Sequence, residues 1–353
     1  MKRHFPTKTA KAFGAAVLAG LALVGCGINP NNTSSPSARS NTTPTTSVTI
    51  QETPSGTSDG PTIALQIDGP AAHPKMERPN TRDQDDLDAS IPGTGIAIGG
   101  DGKHGYPQIH IPGVYDGNNP LQVPWGTRPL PTGTAVGPNG EQYAFYAIVP
   151  YNNPDGSPNY NFTSPDTVVV DLAHPETPLF TLPGISQASG AYDAQSGRMI
   201  IMGNTPSGDR ALWQSAPVSQ NAAWNTTLQP LGTFCGAMNG NRESQIVALP
   251  NGGLLAVGVG NYTPIVSVTA TTPQGLLTAA PTALVTWKML PGAYGPTITD
   301  IKESNGQLVV SMRVSTFGGD QYDPHTYKTT FTVKRGASWR LVQKSSPTIK
   351  PRV

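Results

Sequence analysis

Glu243 opens the apolar run Ser244 to Leu249, directly after the polar stretch Gly236 to Arg242. A carboxyl group at the head of such a run can be partly desolvated, which raises its pKa and suits it to donate a proton. Hydrolysis of a glycosidic bond needs a second carboxyl group about 5 to 10 Å away. Asp155, Asp209, Asp320 and Asp323 stand in other polar loops and are the candidate partners. Arg128, Arg242 and Asn241 carry donors for hydroxyl or carboxylate groups, and Tyr160, Tyr262, Tyr294 and Tyr322 offer ring faces for stacking. The same residue types fill ordinary loops, and a Glu beside an Arg is also a plain ion pair. Sequence therefore nominates these residues for glycan binding or hydrolysis without deciding between the two.

Other chemistry is excluded by context. His325 follows Asp320 and Asp323 at a spacing that makes a poor metal site, and a surface loop is the expectation. The acidic run from Arg82 to Asp88 lacks the glycine turn and distal Glu of a calcium loop, so it reads as a solvated connector. Gly93-Thr94-Gly95 with Gly99-Gly100 is followed by no helix, which removes the dinucleotide reading. No metal and no cofactor is expected. With 13% charged residues and no basic block, nucleic acid is not an expected partner.

The elements that must position these loops are β-hairpins. Val247 to Gly258 (VALPNGGLLAVG) sets two apolar runs around Asn251-Gly252, the turn chemistry of a tight hairpin. Equivalent hairpins turn at Asn139, Ser196 and Asn305, so the four turns are spaced by 57, 55 and 54 residues. A third strand follows each: Asp166 to Leu172, Ala211 to Ala216, Ile265 to Thr271 and Tyr327 to Val333. Fourth strands are expected around Leu179 to Leu182, Trp224, Trp287 to Leu290 and Trp339 to Val342. The recurring Trp reads as packing between units, with sugar stacking as the sharper alternative.

Four short antiparallel strands at a period of about 55 residues predict an all-β chain folded as a β-propeller. Gly93 to Val123, with Thr62 to Ile67 as an additional strand, is long enough for a degenerate fifth blade. Five blades are expected, with four or six as the alternatives. A β-sandwich is the runner-up, disfavoured by the even spacing. No helical stripe of ten or more residues interrupts residues 93–353, the predicted propeller domain. Lead-in loops to the first strands and loops between second and third strands then share one face. The hairpin turns lie on the other.

Upstream, Lys2, Arg3, Lys8 and Lys11 precede the apolar run Phe13 to Val24, which ends Leu23-Val24-Gly25-Cys26. This resembles a bacterial lipobox, which implies a signal peptide over 1–25 and a diacylglycerol on the Cys26 thiol. Residues 26–60 are a Ser/Thr/Asn/Pro-rich tether that cannot bury enough apolar surface to order, with a reach of roughly 30 Å. Residues 61–92 form a connector. Removal of the four basic residues takes the formal charge from +1 to −3, so attachment to a bilayer rests on the acyl chains. Cys235 is then left without an intramolecular disulfide partner and reads as a small buried hydrophobe.

In layout the chain resembles glycan-active propellers, including sialidase-like and arabinanase-like enzymes. The resemblance is architectural, since the repeated Ser-x-Asp-x-Gly-x-x-Trp box of sialidases is absent. The expectation is a lipid-anchored protein on the extracytoplasmic side of a bacterial cell membrane. Its propeller face binds an envelope glycan or a protein, with a wall-polysaccharide glycoside hydrolase as the alternative.

Overall fold

The Gly- and Asn-rich turns close the hairpins where the sequence places them, and each hairpin forms the inner pair of a four-stranded sheet. The computed structural model describes residues 64–77, 89–99, 107–159, 164–220, 222–250, 252–261, 263–316 and 324–336. Two short strands come first, β1 (Leu65–Ile67) and β2 (Lys75–Met76). Blade 1 contains β3 (Ala89–Ser90), β4 (Ala97–Ile98), β5 (Gln108–Ile111) and β6 (Tyr115–Asn118). Blade 2 contains β7 (Thr127–Val136), β8 (Gln142–Pro150), β9 (Thr167–Asp171) and β10 (Pro178–Leu182).

Blade 3 is built from β11 (Ser186–Asp193), β12 (Arg198–Asn204), β13 (Arg210–Gln214) and β14 (Gln229–Thr233). Blade 4 follows with β15 (Ser244–Ala248), β16 (Leu254–Val259), β17 (Ile265–Ala270) and β18 (Thr282–Val285). Blade 5 has β19 (Ala293–Ser304), β20 (Gln307–Thr316) and β21 (His325–Arg335). Its outer strand is β1, which pairs antiparallel with β21. The protein is a five-bladed propeller, and five separate sheets exclude the sandwich.

Three expectations are corrected. The segment ending at Ile67 does not join the first blade; it closes the last one, covering the otherwise open edge of β21. Residues 339–342, the expected outer strand there, lie outside the described residues. Blade 1 begins at Ala89 rather than Gly93. The outer strands of blades 3 and 4 are also displaced from their tryptophans. Trp224 sits in a 3-10 turn before β14, and its buried ring meets Phe180 and Tyr143 edge-on at centroid distances of 4.9 and 6.0 Å. In blade 4 a short helix, α1 (Pro273–Thr278), precedes β18, which ends before Trp287. Thr272 caps that helix by accepting from the Gly275 amide, with Pro273 in its first turn.

Apolar burial is concentrated between blades. Ile98, Ile109 and Ile111 of blade 1 pack with Ala144, Tyr146 and Val170 of blade 2. Phe145 and Val169 meet Ile201 and Met199 across the next interface. Ile200, Met202 and Leu212 meet Ile246, Ala256 and Val266 across the third. Leu255 and Val257 meet Ile298, Val310 and Met312 across the fourth. A sheet that buries both faces this way reads as near-continuous apolar runs, which is why MIIM and LLAV carry no alternation.

Hydrogen bonds tie the inner edges of the blades around the whole ring, between inner strands at four boundaries and from the turn after β3 at the fifth. Thr134 Oγ1 donates to Ser90 O at 2.7 Å, joining blades 2 and 1. Thr132 Oγ1 donates to Ala188 O at 2.8 Å, and Ile246 N donates to Ser189 Oγ at 3.0 Å. Ile298 N donates to Gln245 Oε1 at 2.6 Å, and Gly93 N donates to Thr299 O at 3.0 Å. Gln245 Nε2 also donates to Ser90 O at 3.1 Å, so blade 4 is linked directly to blade 1. Close approach is needed for this: a Cβ on Gly133 would stand 2.8 Å from Ser189 Cα.

Gln245 is 2% exposed, so removing its amide strands the Ile298 amide and takes one donor from the Ser90 carbonyl. Gln245→Leu is expected to lower stability by about 2 to 4 kcal/mol. Urea unfolding monitored by tryptophan fluorescence checks this. An unfolding midpoint equal to wild type would show that the ring does not depend on the cross-link.

Candidate functional site

Antiparallel connection places the lead-in loops and the loops between second and third strands at one end of the ring. The richest corner of this face lies where blades 3, 4 and 5 meet. Asp209 ends the tight turn between β12 and β13, in which Thr205 N donates to Asp209 O at 2.8 Å and Asp209 N donates to Thr205 Oγ1 at 3.1 Å. Its carboxylate accepts from Asn239 Nδ2 at 3.0 Å and from Ser207 Oγ at 2.9 Å. These two donors, Asn239 first, hold its pKa below the ordinary aspartate value, so it is a carboxylate at neutral pH and a poor proton donor. Asn239 Oδ1 accepts from Arg210 N and Gly240 N, both at 2.9 Å, so one amide side chain joins the two loops.

Glu243 stands beside Asp209's neighbour Arg210 and is ion-paired with Arg242. Arg242 Nη2 lies 3.2 Å from Glu243 Oε1, and Nε donates to Oε2 at 3.3 Å. The Glu243 side chain is 13% exposed, whereas that of Arg242 is 51% exposed. Arg242 also lies over the Tyr294 ring, with Cζ 5.6 Å from its centroid. Tyr294 itself is buried, so its ring supports Arg242 instead of presenting a face to solvent. Asn241 is exposed next to the Gly208 turn. The structure thus brings Asp209, Asn241, Arg242, Glu243 and Tyr294 into one corner, with the acids already engaged by donors.

A second polar and aromatic group lies on blade 2. Arg128 is stacked over the Tyr151 ring at 5.5 Å, and Tyr151 N donates to Gly126 O at 3.0 Å. Asp155 is engaged within its own loop, where Ser157 Oγ and Ser157 N donate to Oδ1 at 2.6 and 2.9 Å. Those bonds lower its pKa. Trp125, in the lead-in loop of the same blade, is fully exposed.

Tyr160, Tyr262, Asp320, Tyr322, Asp323 and Cys26 lie outside the described residues. His325 is the first residue of β21 and is half-buried. Cys235 is half-buried at the head of the blade 4 lead-in loop. The tryptophans divide. Trp224 packs between blades as expected, but Trp287 lies in the lead-in loop of blade 5 and is 55% exposed. The sequence reading passed over Asn239 and Arg210. The legible signal was Arg210 itself, a charge immediately before the apolar Ala-Leu-Trp of a central strand.

Arg210 is fully buried. Its Nη1 donates to Met238 O at 2.7 Å, and its Nη2 donates to Arg242 O at 3.1 Å and to Val259 O at 3.0 Å. Burial pushes its pKa down to about 10, opposed by the negative charge of Glu243, and it remains a cation at neutral pH. Two cavities lie away from this corner. One of about 250 Å³ opens at the hairpin end of the channel among Ile91, Ala135, Ala191 and Val247. The other, of about 440 Å³, lies against blade 5 beside His73, Lys75 and Lys328.

No protein-family model matches the sequence, and no curated protein does. Solved structures of similar shape include a protein of unknown function from Dyadobacter fermentans, at 12% identity and a TM-score of 0.41 over 65% of this chain. Trypanosoma rangeli sialidase is similar over 77% of this chain at 8% identity and a TM-score of 0.35. Penicillium chrysogenum alpha-L-arabinanase is similar over 57% at 13% identity and a TM-score of 0.32. The match spans 64%, 59% and 65% of those chains respectively, under two thirds of each. Likeness at this level assigns no activity.

The Asp209 carboxyl gives a direct test of the corner. Asn239→Ala is expected to move its pKa up toward the ordinary aspartate value, read by ¹³C carboxyl titration. The folded pKa is depressed, so the stabilisation is present above the unfolded value near 4 and is lost as pH falls through the folded pKa. A titration identical to wild type would remove Asn239 as the cause.

Proposed function

We propose that this chain is a lipid-anchored extracytoplasmic propeller that binds a glycan of the bacterial envelope on its loop-rich face. The observation that carries the reading is the distribution of exposed aromatics. Among the described residues the exposed large apolar side chains include three aromatics, Trp125, Tyr151 and Trp287, and all three stand in loops of that one face. Exposed aromatic rings flanked by arginine and amide groups suit sugars, whose axial C–H faces stack while their hydroxyls pair with polar neighbours. The engaged carboxylates fit a binding role: Asp155, Asp209 and Glu243 each already accept from neighbouring donors.

A hydrolase is the second reading, because Asp209 and Glu243 share the corner held by Asn239 and Arg210. In that reading Glu243 gives the proton to the leaving oxygen and Asp209 is the second carboxylate. A protein partner on the same face is the remaining outcome. Anchoring follows from the lipobox-like sequence at Cys26. The sequence holds two cysteines, so acylation of Cys26 and an intrachain disulfide at Cys235 exclude each other in any one molecule.

Trp125→Ala and Trp287→Ala are each expected to weaken retention on purified bacterial cell-wall polysaccharide about tenfold, measured in a pull-down titration. Unaltered retention in both variants would sink the glycan reading and leave a protein partner. Loss of sugar release in Glu243→Gln, with retention intact, would establish the hydrolase instead. For the anchor, Cys26→Ser is expected to move the protein from the membrane fraction to the soluble one. Wild-type protein from membranes should take up maleimide at Cys235 without prior reduction; protection until reduction would overturn acylation of Cys26.

A further inference from the structure

Asn241, Arg242 and Glu243 of the corner described above come from the lead-in loop of blade 4, yet what holds that loop in place comes from blade 3. Register shows how. Asn204 and Arg210 are partners across β12 and β13, two residues beyond the Met202 and Leu212 pair that faces blade 4. Ser244 and Gly258 are partners across β15 and β16, two residues beyond the Ile246 and Ala256 pair that faces blade 3. Side chains two apart on a strand share a face. The apolar interface between these blades is therefore capped, toward the loop end, by a polar layer of Asn204, Arg210 and Ser244.

Arg210 fills the space that Gly258 leaves. A Cβ at Gly258 would lie 2.5 Å from Arg210 Nη1 and 2.7 Å from Cζ. From that position the guanidinium donates to Met238 O and Arg242 O, near the middle and end of the lead-in loop, and to Val259 O at the end of β16. A rigid planar fork can hold several fixed acceptors at once, which a flexible ammonium does less well. The Arg210 backbone amide adds a bond to Asn239 Oδ1 at 2.9 Å, between those two carbonyls in sequence. The loop has little regular structure of its own beyond the single 3-10 turn Gly236–Met238. Its carbonyls are ordered by the neighbouring blade.

We propose that Arg210 is the positioning residue of the loop-face site: it fixes the backbone of residues 238–242 and so sets where Asn241, Arg242 and Glu243 stand. The site is then assembled across a blade boundary, and a change within the blade 3 interface alters it without touching a ligand. The consequence for binding rests on the reading above that this loop meets the glycan; the clamp itself does not.

Hydrogen exchange with mass spectrometry on the full chain separates the two. In Arg210→Met, amides of the peptide covering residues 236–243 are expected to exchange at least tenfold faster, while peptides of blades 1 and 2 keep wild-type rates. Gly258→Ala, which displaces the guanidinium with Arg210 retained, is expected to reproduce that local pattern. It also serves as the informative variant if Arg210→Met does not fold. Arg210→Lys should fall between wild type and Met. Wild-type exchange at 236–243 in either Arg210→Met or Gly258→Ala, or equal acceleration in all blades, would overturn the proposal. If the loop loosens and retention on cell-wall polysaccharide is unchanged, the clamp stands and the glycan reading of this loop falls.

Discussion

A closed ring of hydrogen bonds at the inner edges of the blades, four of them between inner strands and the fifth from the turn after β3, is the constraint on which the rest of the molecule depends. Each of the five blade boundaries carries at least one such bond, made by a short hydroxyl, a backbone group or the Gln245 amide. Thr134, Ser189 and Gln245 among these groups are buried, and a buried donor left unpaired costs more than a paired one returns. The blades must therefore sit close enough for Thr134, Ser189 and Gln245 to reach their partners. Apolar packing further out supplies most of the burial but is not directional. The polar ring sets the register in which that packing occurs. Glycine at 133 is part of the same constraint, since any side chain there would hold blades 2 and 3 apart.

Periodicity made four blades legible in sequence because each contains long apolar strands and a hairpin turn in fixed phase. Blade 1 escaped sharp definition for a physical reason. Its first two strands are only two residues long, too short for any hydrophobic period to register. Closure by β1 was misplaced because the pairing of Leu65 with Arg335 is a contact across the full ring, with no local signature. Tryptophan was an ambiguous marker for the same reason. Trp224 and Trp287 look equivalent in the repeat, but one precedes an outer strand and packs inward while the other follows one and points to solvent.

The loops of the candidate site were legible as a set, because strand order alone assigns them to one face. The pairings within them were not. Glu243 with Arg242 is a neighbour contact that sequence can suggest, and the structure shows it. Asp209 with Asn239 joins positions thirty residues apart, and Arg210 reaches an acceptor forty-nine residues away. Such contacts exist only once two blades are docked. Tyr294 illustrates the same limit: its position in a lead-in loop implied a solvent-facing ring, whereas docking of blades buries it beneath Arg242.

These long-range contacts also bear on what the site can do. A carboxylate that accepts from fixed donors is held ionised and oriented, which suits recognition of hydroxyl groups and opposes proton donation. Asp209 is in that state by virtue of Asn239 and Ser207. Arg210 beside it is a buried cation whose own pKa is lowered by burial and supported by the charge of Glu243. Placing a guanidinium at zero exposure is costly unless its protons are met; two carbonyls of an irregular loop and that of Val259 at the end of β16 meet three of the five, and Nε is left without a partner. The loop gains a fixed backbone, and the buried charge gains acceptors it could not find within its own sheet. One side chain thus joins the polar corner to the blade interface.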